Sequence, residues 1–246
     1  MRCTDGGRGN EPFAMMNKTK SGFVRTALLP LLTLVFVSLA GAMLVALRIA
    51  WTGHFAYLFL IWNLILAWLP LVFAVCLCRE YDKQGSGSRW KLGFLAGLWL
   101  LFLPNAPYIF TDLVHLNNWF RGHYWVDLSL ILLFALTGFM VGFLSLYLVQ
   151  EVVADKFGRA ISWLLVAAAA GLSGFGIYVG RFLRWNSWAV VTNPMGLTRD
   201  LGHLALHPLT NYLGVVFPAL FATFLFLAYL MLYALTQLQP VREHRG

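Results

Sequence analysis

Charge is scarce in this chain. Only 11% of its 246 residues are Asp, Glu, Lys or Arg, where a soluble domain carries about a quarter. That shortage excludes a water-soluble fold with an ordinary charged surface. Cysteine is scarce too. Cys3, Cys76 and Cys78 form no CxxC pair, so no disulfide framework is implied, and the last two read as small packing residues at the end of an apolar run. A Gly-rich phosphate loop, a GxSxG elbow and an HExxH pair are all missing. Nucleotide, serine-hydrolase and zincin chemistry are therefore left without a motif, and Ser129 and Ser187 have no local base arrangement.

What the chain has in quantity is apolar and aromatic surface. Hydrophobic residues make up 60% of it, aromatics 16%, and there are ten tryptophans; mean hydropathy is +0.72. Such a composition belongs to a membrane protein whose aromatics anchor at two interfaces. The net charge of +8 does not point to nucleic acid, because no basic patch interleaved with aromatics lies outside the apolar runs.

The apolar runs predict an all-α, polytopic transmembrane bundle of six spans, at about 28–47, 55–78, 92–110, 128–149, 160–180 and 212–235. This six-helix domain occupies 26–238. Before it, residues 1–25 form a basic tail whose Gly6, Gly7 and Gly9 read as disordered, and Met15 or Met16 is a more natural start. Ala40-Gly-Ala42 imitates a signal-peptide cleavage site, but the apolar run continues past it, which favours an uncleaved first helix. Residues 239–246 are a short tail. Six spans put both termini on one side, and thirteen of the 18 Lys and Arg residues fall there. Basic loops stay cytoplasmic, so the expected topology is N-in and C-in.

The third span ends in Leu103-Pro-Asn-Ala-Pro-Tyr-Ile-Phe-Thr-Asp-Leu-Val-His-Leu116. Pro104 and Pro107 each remove a backbone donor, freeing the carbonyls of Leu100 and Leu103. In hydrocarbon a freed carbonyl survives only against protein or a wet cavity. If an α-helix resumes after the break, Asn105, Tyr108, Asp112 and His115 share one face. On that reading Asp112 and His115 are candidate acid/base groups, with Asn105 and Tyr108 orienting a substrate. The alternative is plainer: Asn105 caps the resumed helix, Tyr108 anchors at the interface, and Asp112 and His115 are loop residues. The pairs Gly93/Gly97, Gly138/Gly142 and Gly176/Gly180 are each spaced by four. They predict close packing of spans three to five around the break.

The topology places His54, His115, His123, His203, His207, Asp112, Asp127 and Asp200 on the outer side. The middles of the spans hold almost nothing ionisable, with Asn63, Thr137, Ser145 and Thr223 among their scattered polar groups, which counts against a pump or secondary transporter. Asp127 is placed to cap span four. Arg181 and Arg184, three apart on adjacent parts of one helical face, run against the insertion bias. With the neighbouring Asn186 they form a candidate clamp for an anionic head group; the competing reading pairs them with Asp112 or Asp127 to fix the fold. Pro194 to Pro208 reads as an interfacial helix. His203 and His207 on it have a two-ligand spacing for a divalent metal, with Asp112 and His115 able to complete the set, although a solvated face is the commoner meaning of HxxxH.

The run Leu103–Leu116, followed by Trp125-Val-Asp127 and Gly180-Arg-Phe-Leu-Arg-Trp-Asn-Ser-Trp188, resembles the bacterial integral-membrane family catalogued as domain of unknown function 1361. The likeness extends from about span two to span six. It implies a small multi-pass protein of a bacterial inner membrane, without an established activity and without residue roles to carry over. Three functions remain open at this point. The first is a membrane enzyme or binding protein acting on an anionic lipid or envelope head group; the second is a structural or accessory subunit; the third is a small-solute permease.

Overall fold

The computed structural model describes residues 11–55, 57–83, 88–117, 124–185, 192–206 and 212–237, leaving out the side chains of 11–27, 115, 117, 201 and 203–206. All regular structure among them is helical. In order these are α1 (Glu11–Thr52), α2 (Leu58–Tyr81), α3 (Arg89–Phe102), α4 (Asn105–Tyr108), a 3₁₀ helix (Ile109–Asn117), α5 (Tyr124–Phe157), α6 (Arg159–Arg181), α7 (Pro194–Leu206) and α8 (Leu213–Thr236). Six segments are long and apolar enough to cross a bilayer: Leu28–Thr52, Leu58–Tyr81, Arg89–Val114, Tyr124–Phe157, Arg159–Arg181 and Leu213–Thr236. They coincide with the six predicted runs, with ends that differ by one to eight residues where they differ.

The largest extension is in α5. Its 34 residues span about 51 Å, well beyond the ~30 Å hydrocarbon core. The charged stretch from Glu151 to Arg159 is therefore mostly helix, and the turn into α6 is compressed into Gly158 at φ 91°. A side chain rarely adopts that φ, so one glycine does the work of the loop.

α5 is the central element. Just over half of its apolar window is buried (56%), against 11% for the windows of α1 and α8. α2 packs along one side of it; α6, itself paired with α8, packs along the other, and α1 rests mainly on α5. Without a hydrophobic drive between helices in lipid, contact has to come from shape and buried hydrogen bonds. Trp99 donates its indole N–H to Ser145 Oγ (3.3 Å), and Ser145 donates to the Gly142 carbonyl (2.8 Å). The Tyr229 hydroxyl donates to Gln150 Oε1. Trp68 Nε1 donates to Ser38 Oγ at 3.2 Å, joining α2 to α1.

The glycines show how the broken third span is enclosed. A Cβ at Gly138 would lie 2.8 Å from the Ala106 carbonyl oxygen, and one at Gly142 would lie 2.7 Å from Ala106 Cβ. From α6, a Cβ at Gly176 would meet Pro104 Cγ at 2.6 Å and one at Gly180 would meet the Tyr108 ring at 3.2 Å. The Gly138/Gly142 and Gly176/Gly180 pairs thus clamp α4 from both sides. The expected role of Gly93 and Gly97 is overturned: a Cβ at either position meets nothing within 4 Å. Four-residue spacing describes a groove, and only a neighbour decides whether the groove is filled.

Gly142→Ala and Gly176→Ala should each cost about 1–3 kcal/mol, because Ala106 and the Pro104 ring are fixed to backbone and cannot swing aside. Gly97→Ala should be neutral or stabilising by up to ~1 kcal/mol. Thermal unfolding of the three variants in one detergent checks this, and equal stability of all three would mean that α4 is not clamped.

Candidate functional site

The site begins with the proline break. α3 stops at Phe102, the chain makes the single turn of α4, and it then continues as nine residues of 3₁₀ helix. Runs of that form rarely exceed three or four residues. The carbonyls near the prolines find new donors. Ala106 N–H bonds the Leu103 oxygen at 3.2 Å, taking the place of the donor that Pro107 lacks, and Asn105 Nδ2 bonds the Phe102 oxygen at 3.0 Å. Asn105 is therefore not the expected cap: Tyr108 N–H goes to the Pro104 carbonyl (3.1 Å).

The 3₁₀ geometry also changes which residues align. With three residues per turn, i and i+3 eclipse, so Asp112 falls in line with Ala106 and Ile109, and all three are buried. The single α-helical face of Asn105, Tyr108, Asp112 and His115 does not form. Asp112 is carried into the bundle instead, at 1% exposure. There Oδ1 lies 3.3 Å from Arg181 Nη1, and Oδ2 accepts from Asn63 Nδ2 at 2.8 Å. Arg181 Nη2 also bonds the Thr111 carbonyl (2.9 Å), and its guanidinium carbon sits 5.9 Å from the centre of the Tyr108 ring. One carboxylate thus ties together α2, the 3₁₀ helix and the end of α6. Of the expected residues, Tyr108, Asp112 and Arg181 are brought into one cluster.

Beside it is a second pair that sequence reasoning missed. Arg48, in the last turns of α1, meets Asp127 in the first turn of α5 through two contacts, Nε–Oδ1 at 2.9 Å and Nη2–Oδ2 at 3.2 Å. Side-chain exposures are 5% and 2%. The Tyr57 ring lies 5.8 Å from the Arg48 guanidinium carbon. Burial first, and then the adjacent Asp127 carboxylate, push the Tyr57 phenol above its ordinary range. Asp127 is not a cap, since α5 already begins at Tyr124. A signal for Arg48 was present: under the expected topology an arginine at the outer end of span one runs against the insertion bias as Arg181 does, so it too needed a partner.

Arg184 is placed differently from expectation. α6 ends at Arg181, and Arg184 sits beyond it, exposed, at φ 59°. The two arginines share no helical face. After them Trp185 donates to Asp200 Oδ2 (2.9 Å), which holds α7 against the end of α6. α7 forms where the helix from Pro194 to Pro208 was expected, as far as Leu206. Asn186 and His207 lie outside the described residues, as do the side chains of His115 and His203. Among the described residues no group of three or more His, Cys, Asp or Glu could hold a metal.

A family profile described as protein of unknown function (DUF1361) matches residues 62–228, more than half of the chain. The chain belongs to the DUF1361 family. No curated protein and no solved structure gives a significant match. The DUF1361 match takes in Asn63, Asp112, Asp127 and Arg181, and leaves α1 with Arg48 outside it. The Arg48–Asp127 pair therefore bolts a helix lying before the matched region onto the central helix within it.

Removing one member of a buried pair strands the other charge, at a cost of about 3–5 kcal/mol. Asp127→Asn should thus destabilise strongly. The double variant Arg48→Met/Asp127→Leu should be less damaging than either single change. A double-mutant cycle on thermal unfolding checks this; additive losses would show that the two residues do not act as a pair.

Proposed function

We propose that this DUF1361 member is a structural or accessory multi-pass subunit without catalysis of its own. On this reading it sits in a bacterial inner membrane with both termini inside, and its outer-end polar cluster holds the kinked third span in place. The observation that carries the proposal is the state of Asp112. A general acid or base must reach the atom it serves. Asp112 is almost wholly buried, with one oxygen against Arg181 and the other against Asn63. An ionisable group inside a membrane is a functional candidate by default, but a carboxylate engaged in this way serves three helices before it serves a substrate.

A second reading, binding of an anionic lipid or envelope head group, is favoured by Arg184. Arg184 lies past the end of α6 at an exposed position, three residues on from the half-buried Arg181. A permease has less support. The cavity enclosed by Leu103, Pro107, Phe143, Ala169 and Tyr229 has about 20 Å³ of space, room for roughly one water.

Asp112→Asn separates the readings. On the structural account it lowers stability by about 3–5 kcal/mol, Asp112→Leu/Arg181→Met restores part of that, and any cellular phenotype follows the amount of folded protein. If Asp112→Asn instead keeps the wild-type melting temperature and abolishes the deletion-complementing activity, the carboxylate is doing chemistry and the proposal fails. Loss of activity in a fully stable Arg184→Gln would favour head-group binding.

A further inference from the structure

The bundle carries a second feature that the Asp112 cluster does not use. Between α1 and α5 runs a groove of about 820 Å³ lined by Leu44, Leu47, Arg48, Trp51, Trp125, Val126, Ser129, Leu130 and Leu133. Its walls are apolar except at Arg48, because Ser129 spends its hydroxyl on the Trp125 carbonyl (2.8 Å). At its mouth stand Trp51 and Trp125, 69% and 75% exposed, in the manner of residues at the lipid–water boundary. From Trp51 down to Leu44 is about 10 Å along α1, and from Trp125 to Leu133 about 12 Å along α5. The groove therefore reaches most of the way through one leaflet of ~15 Å.

Arg48 is the feature that makes this more than a lipid-facing crease. Its Nε and one Nη2 hydrogen are taken by Asp127. Nη1 carries two further N–H donors, and among the described residues no hydrogen bond uses them. The buried side-chain atoms without a partner among the described residues are Tyr57 Oη and Gln150 Nε2, so Nη1 keeps some accessible surface, and the groove that Arg48 lines is where an acceptor can reach it. Because Asp127 already balances the charge, the missing partner is an acceptor oxygen and not a counter-ion. Arg48 lies one helical turn below the tryptophan rim; with that rim at the lipid–water boundary, this is the level where ester groups join acyl chains to glycerol.

We propose that the α1–α5 groove holds one ester-linked glycerophospholipid, its acyl chain along Leu44, Leu47, Leu130 and Leu133 and an ester carbonyl accepting from Arg48 Nη1. The lipid completes the hydrogen bonding of the Arg48–Asp127 pair and helps to fasten α1 to the bundle. This inference concerns a different site from the Asp112 cluster and stands whichever role that cluster has.

The test uses the full chain in mild detergent, incubated with palmitoyl-oleoyl-phosphatidylglycerol or with its diether analogue, which lacks both carbonyls. Native mass spectrometry should show one retained ester lipid, favoured over the diether by about fivefold, the worth of one hydrogen bond. Leu133→Trp, which fills the groove, should remove that preference. Equal retention of the two lipids, an unchanged preference in Leu133→Trp, or a dimer that carries no lipid would overturn the proposal. Should Leu133→Trp not fold, a phospholipid with a diazirine on its acyl chain gives a second measurement on the unmodified protein. Labelling should concentrate on 44–51 and 125–133 above the exposed face of α8 at Leu220 and Met231; uniform labelling would sink the idea.

Discussion

Backbone polar groups have no water to turn to inside a bilayer, and that constraint organises this molecule. The third span breaks at Pro104 and Pro107, deep enough in the bundle that its exposed peptide groups have to be enclosed by protein. Enclosure requires helices that come very close, and only glycine permits it. Gly138 and Gly142 on α5 meet Ala106 and its carbonyl, while Gly176 and Gly180 on α6 meet Pro104 and Tyr108. The central position of α5, the pairing of α2 and α6 on its two sides, and the burial of Ile109 and Asp112 follow from seating that one irregular turn.

Once the break is seated, the charges have little freedom. The 3₁₀ helix that follows turns Asp112 inward, where a lone carboxylate costs several kcal/mol. Arg181 arrives from the end of α6 and Asn63 from the second turn of α2, so that acceptor capacity is met from two sides. Asp127 and Arg48 solve the same problem for α5 and α1. The charges at the other end of the bundle contrast with these. Lys83–Glu80 and Arg159–Glu151 leave their cations about 60% exposed, and exposed pairs contribute little. Among the described residues the buried ion pairs both lie at the end that contains the broken span.

Much of this was legible in the sequence. Hydropathy located six spans because the bilayer imposes a length that soluble folds do not. Pro104 and Pro107 announced the break, and the glycines of spans four and five announced close approach. Three things were not legible, each for a physical reason. The form of the resumed helix depends on what its carbonyls can reach, so an α-helical face was expected where a 3₁₀ stripe exists, and Asn105 and Asp112 were assigned to one face. Gly93 and Gly97 carry the same spacing as the filled pairs, but whether a groove has an occupant is a tertiary fact. The predicted end of span five held, but Arg184 leaves the helix through a left-handed φ that a non-glycine residue rarely signals, so the two arginines were expected on one helical face.

Arg48 is the most instructive omission. Counting arginines by side treats them as topology signals, and a count does not ask what each one is bonded to. α1 lies before the region matched by the family and packs mainly on α5, with Gly41 against Phe134, Ser38 bonded to Trp68 and Arg48 bonded to Asp127. Apart from Leu31, Leu34, Val45 and Ile49, which pack on the core, most of its apolar residues are exposed, and lipid on one side of a helix is no stronger a partner than lipid on the other. Polar contacts are therefore what distinguish an attached α1 from one drifting in the membrane. The strongest of them lies in the wall of the α1–α5 groove, one turn below its mouth, so whatever fills that groove acts directly on the joint between the first helix and the rest of the bundle.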